Sequence, residues 1–138
     1  MRAALAAVPL TIMPVALYNL LALAMPGGGI RSAVAAGSLA APLFSLDTAA
    51  GGRWPVSPSD LLFAFALIAL FAELVKSGGG RGTALVNHAL AMALFVACLV
   101  ELLIAPAFAT STFFLIGLTV LLDVLAGFIV TVAPPPPE

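Results

Sequence analysis

The sequence predicts an all-α membrane protein, with four transmembrane helices in an up-down bundle and a short extracytoplasmic cap. Three observations carry that reading. The chain is 63% hydrophobic and only 8% charged, whereas a soluble domain carries about 25% charged residues. Its mean hydropathy is +1.23, so lipid must be the solvent for much of its surface. Residues 112–133, TFFLIGLTVLLDVLAGFIVTVA, contain a single formal charge, Asp123, and about 20 apolar residues suffice to cross the hydrocarbon core as a helix.

The 138 residues suit one integral membrane domain, with no room for a separate soluble one. The formal net charge of −1 gives no electrostatic case for binding nucleic acid. A lone cysteine, Cys98, excludes an internal disulfide and any cysteine-based metal site.

The first span is expected at about 3–25, with kinks at Pro9 and Pro14, because each proline removes a backbone donor. A cleaved signal peptide is the competing reading, with Arg2 as its basic start and Ala22-Leu23-Ala24 as the cleavage site. The length of the apolar run, its two prolines and Asn19 favour a retained helix. Residues 26–59 form the long connection. Gly27-Gly28-Gly29 ends the first helix, and the apolar run 33–43 is too short to cross, which places a short helix in the interface. Two short runs about Gly51-Gly52 predict a small β-hairpin at about 43–57. Trp54 is expected to be an interface anchor, with Phe44 also at headgroup depth.

The second helix is expected at 60–76, capped by Ser59 or Asp60. A glycine-rich basic turn over 77–82 follows, and Thr83 is expected to cap a third helix at 84–105, which Pro106 ends. The fourth helix occupies 112–133, and the proline tail 134–138 cannot extend it. Four crossings put both termini on one side. Arg2, Lys76 and Arg81 lie on that side, against Arg31 and Arg53 on the other, which favours cytoplasmic termini in a bacterial inner membrane.

The candidate site is an intramembrane polar network of Glu73, Asn87, His88, Glu101 and Asp123. A carboxylate at mid-membrane costs about 2.5–3.5 kcal/mol on insertion scales. Asp123 is therefore expected to be neutral and to donate a hydrogen bond across helices. About the turn near Gly80, Glu73 and His88 fall at one depth, so Glu73 is placed to bond His88 or Asn87 and to pair with Lys76. Asn87, Ala91, Leu94, Cys98 and Glu101 form one seam of the third helix. Thr119, Asp123 and Gly127 line the fourth, and Ala66, Ala69 and Glu73 the second. These faces read either as interhelix glue or as a proton or ion relay.

Other chemistries fit poorly. One histidine cannot supply bis-histidine haem ligation within a chain, and Glu73 with His88 lacks a third metal ligand, so no cofactor or metal is expected. GGGRGT at 78–83 resembles a phosphate loop only loosely, lacking its Gly-Lys-Ser/Thr ending. Arg81 and Thr83 remain candidate contacts for a lipid phosphate. No nucleophile constellation points to an enzyme.

The stretches FAELVKS at 71–77, ALVNHAL at 84–90, CLVELLIAPAFATSTFFL at 98–115 and LLDVLAGFIVT at 121–131 resemble a group of small, uncharacterised bacterial inner-membrane proteins. The resemblance implies four spans and no particular activity. Those relatives end in a basic tail, whereas this chain ends APPPPE. The functional expectation is an accessory or structural subunit of a membrane complex, with lipid, other subunits or a second copy as partners. The alternative is a small oligomeric proton- or ion-coupled transporter using the buried acids.

Overall fold

The computed structural model describes residues 7–76 and 81–132, with the side chain of Arg81 excepted. Arg2, the turn at 77–80 and the proline tail lie outside the described residues. The elements run α1 (Ile12–Ala24), α2 (Val34–Ala40), β1 (Phe44–Asp47), β2 (Arg53–Val56), α3 (Pro58–Lys76), α4 (Arg81–Ile104), a 3₁₀ turn (Pro106–Phe108) and α5 (Ser111–Val132).

Three helices among the described residues, Pro58–Lys76, Gly82–Ile104 and Ser111–Val132, are long and apolar enough to cross a membrane. The chain is thus a multi-pass membrane protein by length and composition. Residues 3–6 of the expected span over 3–25 lie outside the described residues, and the rest of the run departs from it. Its helix begins only at Ile12 and covers 13 residues, about 20 Å at 1.5 Å per residue, against a hydrocarbon core of about 30 Å. Nor do its prolines kink it. Pro9 precedes the helix, and Pro14 is its third residue, where a missing N–H breaks no intrahelical bond. The prolines set where the helix starts.

Helix α3 also starts earlier than expected, and its cap is Ser57. The Asp60 N–H donates to Ser57 Oγ at 3.3 Å, and the Ser57 N–H donates to Asp60 Oδ2 at 2.8 Å. This reciprocal capping box has Pro58 at the first helical position, where its fixed φ is suited to the helix. Thr83 lies inside α4 and does not cap it, because the helix already runs from Arg81. Thr110 caps α5, its Oγ1 accepting from the Phe113 N–H at 3.1 Å.

Strands β1 and β2 pair antiparallel, with Phe44 opposite Val56 and Leu46 opposite Trp54. The reversal uses Gly51 at φ 80°, a conformation that a side chain would strain. Helix α5 is the centre of the bundle and packs on α4, α3 and α1. At the hairpin end the core is aromatic, with the Tyr18 ring 4.8 Å from Phe113 and 5.9 Å from Phe108 between centroids. Towards the other end it narrows to small residues and polar groups. There Ala66, Glu73, Thr119 and Asp123 are all buried.

Candidate functional site

The polar network assembles around the short stretch of chain before α1. Residues 7–11 are not part of that helix, so their backbone groups need partners from elsewhere. A membrane interior offers no water for the purpose, so other helices must supply them. The Leu10 N–H donates to Glu73 Oε2 at 2.6 Å. The Lys76 ammonium donates to the Val8 carbonyl at 2.6 Å and lies 2.9 Å from Glu73 Oε2. The Thr11 hydroxyl donates to Asp123 Oδ2 at 2.8 Å. Two acids from α3 and α5 therefore hold one irregular segment.

Glu73 is fully buried and takes a further bond at Oε1 from Asn87 Nδ2, at 2.7 Å. Asn87 is thus its partner across the α3–α4 hairpin, and Lys76 pairs with it one turn along as expected. His88 sits elsewhere. Its ring lies on α5 at Gly127, where a Cβ would come within 2.7 Å of Nδ1. Gly127 makes room for an imidazole. His88 is therefore about one helical turn from Asp123. His88 Nδ1 and Asn87 Oδ1 are buried without a hydrogen-bond partner among the described residues.

Asp123 meets its partner at one oxygen, Oδ2, which accepts from the Thr11 hydroxyl. Glu101 does not join this cluster. It lies near the hairpin end of α4 and accepts from Asn19 Nδ2 at 3.3 Å. The seam of Asn87, Ala91, Leu94, Cys98 and Glu101 does turn inward, with Ala91 and Cys98 buried and the others partly so. The network thus falls into two parts, one about residues 7–11 and one about Asn19 and Glu101.

The sequence reading passed over Thr11, Val8, Leu10 and the pair formed by Tyr18 and Thr110. Tyr18 Oη lies 2.6 Å from Thr110 Oγ1 and donates to the Ala107 carbonyl at 3.2 Å. A signal for Thr11 was available, because it is a polar residue between two prolines within an apolar run. Trp54 and Phe44 are exposed on the hairpin. Among the described residues, no group of three His, Cys, Asp or Glu side chains is placed to hold a metal ion. No protein-family model, curated protein or solved structure matches the chain.

Proposed function

We propose that the chain is a small integral protein of the bacterial inner membrane, acting as a non-enzymatic accessory or structural subunit of a membrane complex. The observation that carries this reading is the use made of the acids within its helices. Glu73, Asp123 and Glu101 each accept hydrogen bonds from another element of the same chain. They serve as staples, as polar side chains that hydrogen-bond across a bundle do. On this reading α1 and the segment before it make a fourth crossing, both termini are cytoplasmic, and the relatives are the small four-span proteins that the sequence resembles. Lipid, other subunits and a second copy are its partners. Extraction from native membranes in mild detergent, followed by co-purification, tests the proposal. A stable membrane-protein partner is expected, and a chain that always runs alone as a monomer would sink it.

A second reading is supported by Asn87 Oδ1 and His88 Nδ1. Buried polar atoms without partners among the described residues, beside Glu73, Asp123 and an irregular segment, resemble the interrupted helices that form ion sites in transporters. Proteoliposomes under a pH gradient separate the two. The subunit reading expects no flux above that of empty vesicles. A transporter would show flux that Glu73→Gln or Asp123→Asn abolishes while the protein still folds.

A further inference from the structure

The β1–β2 hairpin divides its side chains by chemistry. Phe44 pairs with Val56 and Leu46 with Trp54, while Ser45 pairs with Pro55 and Asp47 with Arg53. Successive side chains alternate between faces, so one face carries Phe44, Leu46, Trp54 and Val56, and the other carries Ser45, Pro55, Asp47 and Arg53. On the polar face Arg53 Nε lies 3.4 Å from Asp47 Oδ1, and both side chains are more than four-fifths exposed. On the apolar face Val56 is buried against the protein, while Phe44, Leu46 and Trp54 are 48%, 47% and 57% exposed. Three large apolar side chains therefore stand outward on a two-stranded hairpin, a unit that is marginal in water by itself.

The position of the hairpin says what covers that face. Strand β2 ends at Val56 and the apolar helix α3 starts at Pro58, so a single residue, Ser57, separates hairpin from span. An apolar cleft of about 220 Å³ lies at the hairpin's base, lined by Leu17, Leu21, Leu43, Leu61, Leu62 and Phe65 together with Pro58. Leu43, just before β1, ties the base of the hairpin by donating its N–H to the Val56 carbonyl at 2.8 Å. The apolar surface thus continues from α1 and α3 onto the base of the hairpin. The free edge of β2 is a poor template for a strand from another protein. Thr48 bonds Gly52 across the turn, so in this register Ser45 and Pro55 turn their backbone groups outward, and Pro55 has no N–H to donate.

We infer that the hairpin is a lipid-docking element that lays Phe44, Leu46 and Trp54 into the headgroup–acyl boundary at its end of the bundle and keeps Asp47 and Arg53 in water. The residue types suit that depth, since Trp is enriched where an apolar ring meets a wet boundary. An amphipathic surface of this kind binds through its buried apolar area.

Trp54 is the only tryptophan in the chain, so the native protein carries its own probe. The experiment uses the full-length protein in phosphatidylcholine–phosphatidylglycerol vesicles. Trp54 emission is expected to be blue-shifted, weakly quenched by acrylamide and strongly quenched by lipids brominated near the glycerol end of the acyl chain. Bromination at the chain terminus should quench it less. In the double variant Phe44→Ser, Leu46→Ser, bromolipid quenching should fall at least twofold while acrylamide quenching rises. Wild-type Trp54 that acrylamide quenches as it quenches free indole, with no effect of bromolipid, overturns the inference. Protection from acrylamide in native membranes without bromolipid quenching also overturns it, and assigns the face to a protein partner. Quenching unchanged in the double variant shows Trp54 inserting alone, and the face as a unit is then wrong.

Discussion

At Asp123 a carboxyl group near the middle of an apolar helix meets a hydroxyl from the start of another, 2.8 Å away and 112 residues distant in sequence. Interhelix bonds of this kind average about 0.6 kcal/mol in a bilayer and rarely exceed about 1.7. Asp123→Asn keeps an acceptor for Thr11 and should unfold within experimental error of the wild type. Asp123→Leu and Thr11→Val should each lose about 0.6 kcal/mol, with the double variant costing little more than either. Reversible unfolding in mixed micelles measures all four proteins, and fully additive losses would show that the two side chains do not interact. Gly127 makes a sharper case. A methyl group there would stand 2.7 Å from His88 Nδ1 and 3.4 Å from His88 Cβ, so the ring must swing away or the helices part. Gly127→Ala should destabilise by about 1–3 kcal/mol, the usual cost of overpacking. Gly82→Ala, with open space around it, is the control and should cost less.

Among the elements, the starts of α1 and α3, the two helices that the 26–59 connection joins, answer to different signals. Helix α3 begins where its local sequence says, once Ser57 is recognised as the cap and Pro58 as the first helical residue. Ser57→Ala should cost about 1 kcal/mol and raise amide exchange in the first turn of α3, leaving α4 and α5 unchanged. Uniform loss of protection across the bundle would show that the cap does more than hold its own helix. Helix α1 has no side-chain bond at its Thr11 cap, because that hydroxyl goes to Asp123. Its start is held by groups on α3 and α5, and at its other end Tyr18 and Asn19 reach Thr110 and Glu101. Tyr18→Phe removes the bonds to Thr110 and Ala107 but keeps the ring contacts. It should cost about 1 kcal/mol, and a larger loss in near-ultraviolet circular dichroism than in helix content is expected.

For the whole molecule, the arrangement predicts a sidedness that labelling can read. Cys98 is buried, and Cys98→Ala supplies a background for single cysteines. A cysteine at any of 48–51, in the hairpin turn, should react with an impermeant maleimide from one side only. A cysteine at Gly82 should react only from the opposite side. With the proposed orientation the first set faces outward. The reverse pattern would invert the protein in the membrane without altering its fold, whereas labelling of both sets from one side would remove the α3 crossing.

The membrane class, the three long spans and the hairpin were legible in the sequence, because each depends on a local quantity. Apolar length decides whether a helix crosses, and Gly51-Gly52 between two short alternating runs decides where the chain reverses. The inward seams of α3, α4 and α5 were legible for the same reason, since helical periodicity tells which residues share a face. What meets that face is a matter of which elements come together, and only the tertiary structure decided it. Glu73 and Asp123 are answered by Leu10 and Thr11, 63 and 112 residues away. One of those partners is a backbone N–H, which every residue but proline possesses and which no residue type advertises. It became available only because α1 stops short at Ile12. The place of His88 beside Gly127, and not on Glu73, likewise follows from how α4 lies against α5, which periodicity along either helix alone does not contain.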